Sequence, residues 1–241
     1  MPRLEDMQLT NKTAVIYGAR GAVGTALTRA FTAAGAKVAA PEIDALDEQA
    51  IDKHLATLDR VDISVNAMGI GQTGVQGIPL VQLSADAYLK PVDTYVRSHF
   101  LTARAAARRM VAQKSGVILV HTANPSVMAI PMMGGMPASW AALEVMMTAF
   151  SVECGPHGVR ALTLRTTGLP ETGTIDEVYG LHAKAHGITR EQFQGMLEQR
   201  THRGRHNSLA ELAAAAVFVA SDAGSAFTGT TLDLSGGMTG R

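Results

Sequence analysis

The sequence predicts a doubly wound α/β fold built on a parallel sheet, and three observations support this prediction. Short runs of Val, Ile and Leu alternate with longer segments of helical periodicity along the chain, which is typical of parallel strands linked by helices. The apolar runs are nearly continuous, as expected for strands buried on both faces. A hydrophobic content of 46% in 241 residues suffices for one large core. We therefore expect a single domain over residues 1–241.

The predicted elements follow one another in a regular order. Strands are expected at Thr13–Tyr17, Lys37–Ala40, Val61–Val65, Val117–Val120, Val159–Leu164 and Thr231–Leu234. Helices are expected at Ala22–Ala34, Asp47–Leu58, Val92–Gln113, Pro137–Cys154 and Leu209–Ala220. Pro91 is expected to separate a short turn from the long third helix. Residues 168–207 contain several charges and no clear strand, and they predict a mobile helical lid over a cleft.

Charge and composition narrow the functional classes. The 21 basic and 21 acidic residues cancel, so nothing predicts binding to nucleic acid or to an anionic membrane surface. No apolar stretch reaches the ~20 residues that a membrane span requires. The single cysteine, Cys154, suits a reducing compartment. We therefore predict a cytoplasmic protein that binds neither nucleic acid nor membrane.

A glycine-rich turn follows the first predicted strand and opens the first predicted helix. Residues 18–24 read Gly-Ala-Arg-Gly-Ala-Val-Gly. Small residues at this place allow the pyrophosphate of a dinucleotide to approach the backbone N–H groups of a helix N-terminus. Ala22 adds a methyl group on that path, so a tight turn that only packs the helix against the strand is the alternative interpretation.

Several stretches resemble the short-chain dehydrogenase/reductase family. They are the glycine-rich turn, the segment from Asn66 to Gly69, the segment from Ala138 to Arg160, and the ending from Arg205 to Met238. The resemblance implies a Rossmann fold, a nicotinamide dinucleotide as cofactor, and a homo-oligomer, either dimer or tetramer. It also implies cofactor contacts at Gly18, Arg20, Val23, Gly24, Asn66, Gly69 and Thr172.

The chain departs from the family after the second predicted strand. The segment Pro41–Ile43 runs directly into Asp44 and the next helix, where the family has a further helix and strand. We predict that this helix–strand unit is absent, because a crossover needs at least ~10–12 residues. Glu42 is a candidate acceptor for a ribose 2′-hydroxyl, which favours NAD(H) over NADP(H). Asp44 is a candidate neighbour of the adenine, and solvent-exposed loop acids are an equal alternative for both.

The resemblance also fails at the four catalytic positions. The family carries Asn, Ser, Tyr and Lys, and its Tyr exchanges the proton that accompanies hydride transfer. The family spacing places other residues at these positions, namely Tyr95, Ala123, Met136 and Trp140. Met and Ala have no proton to give, and Trp offers only an N–H donor. Thr122 and Ser139 are candidate substitutes, although strand-end and helix-cap roles are more common for such residues.

These departures lead to three functional hypotheses. The main one is a pseudoenzyme: a ligand-binding or partner subunit that uses NAD(H) weakly or not at all and has little or no dehydrogenase activity. The second is a non-redox enzyme of the cyclisation or isomerisation type, whose apolar pocket floored by Met136 and Trp140 binds a hydrophobic small molecule. The third is a residual NAD(H)-dependent oxidoreductase that acts on a carbonyl or alcohol, with water or Thr122 as proton source.

No metal is expected in this protein. His182 and His186 are four residues apart on a predicted lid helix, a spacing that suits a metal. The sequence offers no third ligand beside them. We therefore expect both to be solvated surface residues.

Overall fold

Six parallel strands form the sheet at the centre of the fold within residues 7–238, which the computed structural model describes. The strands are β1 (Thr13–Tyr17), β2 (Lys37–Ala39), β3 (Ile63–Asn66), β4 (Gly116–Ala123), β5 (Val159–Thr166) and β6 (Thr231–Leu234). Their order across the sheet is β2-β1-β3-β4-β5-β6. The chain starts in the interior, builds one edge and then returns to build the other. This is the doubly wound arrangement that the sequence predicts.

Helices cover both faces of the sheet. Those in residues 7–238 are α1 (Ala22–Ala33), α2 (Glu48–Ala56), α3 (Ala85–Pro91), α4 (Arg97–Gln113), α5 (Met136–Cys154), α6 (Gly173–His186), α7 (Arg190–Glu198) and α8 (Leu209–Ala220). Helices α2, α4 and α5 pack on one face, and α1 and α8 pack on the other. None of these described helices is both long and apolar enough to cross a membrane.

Each face of the sheet has its own apolar core. Met110 of α4 and Leu143 of α5 lie in one core with Ile118 of β4. Phe31 of α1 lies in the other core with Leu119, which directly follows Ile118 in β4. Successive side chains of a strand point to opposite faces. Two helical layers therefore explain why the strand sequences are continuously apolar rather than alternating.

Most elements lie close to their predicted bounds. Strands β1 and β6 and helix α8 have the predicted bounds, and β2 is one residue shorter than expected. Two strands extend further than predicted: β4 ends at Ala123 instead of Val120, and β5 ends at Thr166 instead of Leu164. Polar residues occupy these extensions, and apolar patterning does not detect them. The extensions matter because they border the cleft.

The prediction that Pro91 separates a short turn from the long helix is wrong, because the chain is helical on both sides of Pro91. Pro91 is the last residue of α3, which begins at Ser84 as N-cap, with the Ser84 hydroxyl accepting a 3.2 Å hydrogen bond from the Ala87 N–H. A π-helical turn, Val92–Val96, then leads directly into α4. Proline lacks the N–H that a regular helical turn would use at this point. The wider turn keeps the helix continuous, and such turns are frequent at functional sites.

The absence of a helix–strand unit after β2 is confirmed. In the described part of the chain β2 is the outermost strand, and it pairs only with β1. A short loop leads from β2 to α2, where the side chain of Asp47 caps the helix by accepting a hydrogen bond from the Ala50 N–H at 3.0 Å. The next strand, β3, lies on the opposite side of β1.

The predicted lid, residues 168–207, contains the two helices α6 and α7. Thr172 caps α6, and Thr189 caps α7 through a capping box. Tyr179 of α6 and Phe193 of α7 pack edge to face, with ring centroids 5.5 Å apart. Both rings belong to a third small core that includes Met238. The lid helices are thus joined to the end of the described chain by apolar contacts.

We predict that Gly24→Ala destabilises the fold by about 1–3 kcal/mol, as overpacking does. A Cβ atom at Gly24 would lie 2.3 Å from the carbonyl oxygen of Gly18 and 2.6 Å from Cα of Ala19, and neither backbone atom can rotate away. Gly195→Ala, inside α7 with nothing within 4 Å, is the control and should gain about 0.5–1 kcal/mol. Urea unfolding measures both values. Equal stability of the two variants would contradict this packing.

Candidate active site

A cavity of about 280 Å³ lies at the carboxyl end of the parallel strands. Residues 21–23 of the glycine-rich turn line one end of it, and α6 and α7 line the other. The ends of β3 and β4 and the start of α5 lie between them. Ligands of doubly wound sheets bind at this edge, where the strand order reverses.

The glycine-rich turn has the geometry of an anion site. Gly18 has a φ of +71°, and a Cβ atom there would lie 2.8 Å from the backbone of Ala67. Gly21 is the N-cap of α1, and the first turn of this fully described helix contains no acidic residue. The N–H groups in the first turn of α1 and the positive end of the helix dipole therefore face the mouth of the cavity. No carboxylate of that turn competes with an anion for them.

The four family catalytic positions meet in this cavity. Met136 starts α5 and is buried, Trp140 lies one helical turn further on, and Ala123 ends β4. Tyr95 reaches the cavity from the π-helical turn. Burial raises the pKa of the Tyr95 phenol, and a hydrogen bond with the Ile70 backbone acts in the opposite direction. The structure therefore brings together the residues that the resemblance had aligned.

The two candidate substitutes direct their protons at protein acceptors. The Thr122 hydroxyl lines the cavity but donates to Oε1 of Glu144 at 2.9 Å. The Ser139 hydroxyl is fully buried and donates to the carbonyl of Met136 at 2.7 Å. Ser139 is thus a residue of the helix interior. Neither hydroxyl directs its proton at the cavity.

A buried ion cluster lies behind Thr122. Glu144 of α5 pairs with Arg165 of β5 at 2.6 Å, and Arg165 also contacts Asp233 of β6 at 3.3 Å. The hydroxyl of Ser126 donates to the same glutamate at 2.6 Å. This cluster fixes the ends of β4, β5 and β6 and helix α5 relative to one another.

Some of the predicted cofactor residues line the cavity. Val23, Asn66, Gly69 and Thr172 all do so. Asn66 ends β3, and its side-chain oxygen accepts a 3.0 Å hydrogen bond from the N–H of Met68, which shapes the following loop. Its amide group lies 3.4 Å from the hydroxyl of Thr102 on α4. The role of Asn66 is therefore to hold a loop and a helix as well as to line the site.

The other predicted cofactor residues lie at or beyond the mouth. Gly18 and Gly24 shape the turn from within. Arg20 and Glu42 form an exposed ion pair beside that turn. Asp44 is exposed and accepts a hydrogen bond from the N–H of Leu46 at 2.9 Å, so it stabilises its own loop.

Two further imidazoles line the cavity: His99, which the sequence does not mark, and His121, which the sequence predicts to be a satisfied core residue. Nδ1 of His99 lies 2.8 Å from the carbonyl oxygen of Tyr95, and Nε2 of His121 lies 2.8 Å from the hydroxyl of Thr166. Desolvation lowers the pKa of each to about 4. Both rings are therefore neutral at pH 7. The polar residues of β4 beyond Val120 are the sequence signal for His121, whereas His99 lies on α4.

The prediction that His182 is a solvated surface residue is wrong. Only 1% of His182 is exposed, and its ring stacks on Phe193 at 5.2 Å. Its Nε2 lies 3.1 Å from Oε1 of Gln76. Desolvation, with a smaller contribution from His186, lowers the pKa of His182 to about 4. Helix α7 covers this face of α6, which periodicity of α6 alone does not reveal.

A phenol and an imidazole face each other at the lid end of the cavity. The Tyr179 hydroxyl lies 3.0 Å from Nε2 of His206, and both residues line the cavity. Gly168 leaves room for this hydroxyl, since a Cβ atom there would lie 2.1 Å from it. Burial raises the pKa of Tyr179 and lowers that of His206. Both groups are neutral at pH 7.

The wall of the cavity is uncharged. Among the described residues that line it, none is Lys, Arg, Asp or Glu. Residues 7–238 also contain no group of three or more His, Cys, Asp or Glu that could hold a metal ion. The chemistry available here is that of amides, hydroxyls, neutral imidazoles and apolar side chains.

Fold and cavity together define a Rossmann-type dinucleotide-binding architecture. A family model described as enoyl-(acyl carrier protein) reductase matches residues 42–239. The chain belongs to the short-chain dehydrogenase/reductase family.

Several characterised relatives cover most of the chain. Gluconate 5-dehydrogenase of Gluconobacter oxydans is 26% identical over 87% of this chain and 78% of the relative. D-threitol dehydrogenase of Mycolicibacterium smegmatis is 25% identical over 97% and 95%. NAD-dependent glycerol dehydrogenase of Listeria innocua is 26% identical over 98% and 96%.

Solved structures give the same result for the fold. A gluconate 5-dehydrogenase from Burkholderia cenocepacia in complex with NADP and tartrate superposes with a TM-score of 0.83, 25% identity and 98% coverage of both chains. An NAD⁺-bound xylitol dehydrogenase superposes with a TM-score of 0.87 over 95% of this chain and 99% of the other, at 16% identity.

The main functional hypothesis from the sequence, a pseudoenzyme, is wrong. The relatives and solved structures named above are dehydrogenases, and the oxidoreductase alternative agrees with them better. The expectation of a degenerate, weakly binding cofactor site is likewise unsupported, as is the non-redox alternative. Replacement of the four family catalytic residues does not exclude the reaction, because the cavity contains other hydroxyls and imidazoles.

We predict that the protein loses stability as the pH falls from 7 to 5. The unfolded chain takes up protons below pH ~6.5, whereas His99 and His121 stay neutral in the fold down to about pH 4. Each such imidazole costs about 1.4 kcal/mol per pH unit in this window. Urea unfolding at the two pH values measures the loss.

A matched pair of variants assigns this loss to the buried rings. His99→Gln removes one buried imidazole and should reduce the pH dependence, even where it lowers stability at pH 7. His157→Gln removes an exposed imidazole and should leave the pH dependence unchanged. The same slope in both variants would contradict the assignment.

Proposed function

We propose that the protein is a nicotinamide dinucleotide-dependent oxidoreductase that interconverts an alcohol and a carbonyl compound. One observation carries the proposal: a single cavity joins the N-terminal end of α1 to an uncharged pocket lined by α6 and α7. The first part suits the pyrophosphate of a dinucleotide, and the second suits a small organic substrate. The family and the relatives named as dehydrogenases support the same reaction class.

The residues at the mouth fit a dinucleotide. Gly18 and Gly24 allow the tight turn that precedes α1, because a Cβ atom at either position would meet neighbouring backbone atoms. Ala22 and Val23, in the first turn of α1, would hold the pyrophosphate with their N–H groups. Asn66 and Thr172, further inside the cavity, would contact the nicotinamide half. When bound, the cofactor accepts the hydride in oxidation and supplies it in reduction.

The charge beside the turn favours NAD(H) over NADP(H). The Glu42 carboxylate follows β2 and would accept a hydrogen bond from a ribose 2′-hydroxyl, whereas it would repel a 2′-phosphate. Arg20 pairs with Glu42 and neutralises it in the absence of ligand. Glu42→Gln would leave Arg20 without its carboxylate partner. That variant should therefore gain affinity for NADP(H) and lose affinity for NAD(H).

The proton that accompanies hydride transfer follows a route other than the family's tyrosine. When an alcohol is oxidised, its hydroxyl proton would leave for water. Thr122 is unsuited as proton source because it donates to Glu144. The phenols of Tyr95 and Tyr179 keep their protons at neutral pH, since burial raises their pKa. They would serve as hydrogen-bond donors to the carbonyl oxygen.

We predict that NADH quenches the fluorescence of Trp140, the single tryptophan of the chain, because this side chain lines the cavity. Ala22→Asp should weaken NADH binding at least ~10-fold, since the new carboxylate meets the pyrophosphate at the helix N-terminus. An acidic residue in the first turn stabilises the helix itself, so this substitution is not expected to unfold α1. Fluorescence titration and the absorbance of reduced nicotinamide, with a panel of alcohols and carbonyl compounds, measure binding and turnover.

Ala22→Ser is the control, because it adds an oxygen of similar size without a charge. It should bind NADH nearly as well as the unmodified chain. Saturating dinucleotide should also stabilise the protein, by about 2.7 kcal/mol at 100 times its Kd. Neither quenching nor stabilisation with any of the four nicotinamide dinucleotides would refute the proposed function.

We also propose that α4 and α5 form the contact of a homo-oligomer. Val145 and Val152 are 70% and 72% exposed and lie two turns apart on α5. Phe100 of α4 is 42% exposed and continues this apolar surface, with its ring 6.3 Å from that of Phe150. Exposed apolar patches of this kind are typical of interfaces between subunits.

Light scattering after size exclusion tests this contact. The unmodified chain should form a dimer or tetramer, and Val145→Asp combined with Val152→Asp should dissociate it, because burying two carboxylates in an apolar interface is costly. Val81→Asp, at a position 95% exposed and far along the chain from α5, should change nothing. A monomeric unmodified chain would rule out the contact.

A further inference from the structure

We infer that the cavity selects an uncharged, hydroxyl-bearing substrate with an apolar body, and that Tyr179, His182 and His206 hold its oxygen atoms. This inference rests on the proposed function and narrows its substrate class. It follows from three independent features of the cavity: its lack of charge, the hydrogen-bonding state of His182, and its apolar lining.

The first feature is the absence of a counter-charge. Among the described residues that line the cavity, none carries a fixed positive or negative charge. The nearby ions Glu144 and Arg165 satisfy each other behind the wall. A carboxylate or phosphate in this pocket would lose its hydration and gain no partner of opposite charge, which is unfavourable. An alcohol or ketone is uncharged, so its loss of hydration in this pocket costs much less free energy.

The second feature is a chain of hydrogen bonds that fixes the tautomer of His182. Gln72 donates from its amide nitrogen to the carbonyl oxygen of Ile70 at 2.7 Å. A backbone carbonyl only accepts, so the amide oxygen of Gln72 points the other way and accepts from the amide nitrogen of Gln76 at 2.6 Å. The amide oxygen of Gln76 is then the atom that faces His182.

It follows that Nε2 of His182 carries the hydrogen and Nδ1 carries a lone pair. Buried to 1% exposure, this ring is neutral at pH 7, and its Nδ1 has no hydrogen-bond partner among residues 7–238. Buried polar atoms without partners are rare in folded proteins. A lone pair needs a donor, which a hydroxyl group supplies and a carboxylate does not. The imidazole therefore discriminates by hydrogen-bond direction as well as by charge.

Two further polar atoms lack a partner in the same wall. They are Nδ1 of His206 and Oδ1 of Asn124, within the part of the chain that the structure describes. Both residues are more than nine-tenths buried and line the cavity. Oδ1 of an amide also requires a donor. A ligand with more than one hydroxyl would satisfy several of these atoms together, beside the Tyr179 hydroxyl.

The third feature is the apolar remainder of the wall. Between the mouth and the lid the cavity is lined largely by apolar side chains, including Ile130, Met133, Met136, Trp140, Val178 and Phe193. Such a surface favours a hydrocarbon or aromatic body over a fully hydroxylated one. The relatives include enzymes named for gluconate, which is an acid, and for glycerol, which is neutral. The cavity of this chain matches the neutral class.

Two probes of the same skeleton test the inference on the NADH-saturated protein. 1-Phenyl-1,2-ethanediol is neutral, and mandelate differs from it by a carboxylate in place of a hydroxymethyl group. We expect the diol to bind at least ~10-fold more tightly than mandelate and to shift the ¹³C-histidine NMR signals of His182 and His206. Equal or tighter binding of mandelate, or no shift of either signal by the diol, would overturn the inference.

Two variants on the same helix provide the matched control. His182→Phe keeps an aromatic ring against Phe193 but removes the acceptor, so it should weaken diol binding about 5-fold, the effect of one lost hydrogen bond. His186→Phe changes a ring that also stacks on Phe193, at 6.0 Å, but does not line the cavity. It should leave diol binding unchanged. An equal effect of both variants would also overturn the inference.

Binding of the cofactor is measured separately from binding of the diol. Quenching of Trp140 by NADH tests the proposed function, whereas the preference for the diol tests the substrate class. Quenching without any preference for the diol would overturn the inference and leave the proposed function intact. Loss of quenching would refute the proposed function itself.

Discussion

The ion pair between Glu144 and Arg165 fixes the geometry on which the cavity depends. It joins α5 to β5, and through Thr122, Ser126 and Asp233 it also holds the end of β4, the following turn and β6. Ion pairs this deeply buried contribute little net stability, but removal of one partner is costly. This pair instead sets the relative positions of the elements, because it aligns three strand ends with the helix that begins at Met136. Since its charges are satisfied behind the wall, the cavity in front can remain uncharged.

Much of the fold was predictable from the sequence, because the strands are buried on both sides and their apolar runs mark them. The family register was also predictable, and it brings Tyr95, Ala123, Met136 and Trp140 into one cavity. What could not be predicted depends on contacts between distant segments. His182 resembles a surface residue until α7 covers it, and its partner Gln76 is 106 residues away in the chain. The continuity of α3 and α4 through Pro91 is likewise a tertiary result.

The failure of the pseudoenzyme hypothesis has a physical explanation. A missing tyrosine removes one route for a proton, and it says nothing about where the hydride donor binds or which other groups polarise a carbonyl. The glycine-rich turn keeps its backbone geometry despite Ala22, because the positions that need glycine are Gly18 and Gly24. The phenol of Tyr179 and the imidazole of His206 come from the lid, far along the chain from the family motif, and only the folded chain brings them into the same cavity as Met136. A sequence motif describes one arrangement of side chains that performs a reaction, whereas the residues of the folded cavity determine which other arrangements are available.

The shortened sheet has a consequence of a different kind. Loss of the unit after β2 leaves that strand at the edge, with backbone groups that no neighbouring strand covers in the described part of the chain. Open edges invite intermolecular strand pairing and aggregation. This edge is only three residues long and begins with the exposed Lys37. The shortness of β2 and the positive charge of Lys37 both disfavour the addition of a strand from another chain. The exposed edge of the sheet therefore needs no further strand to cover it.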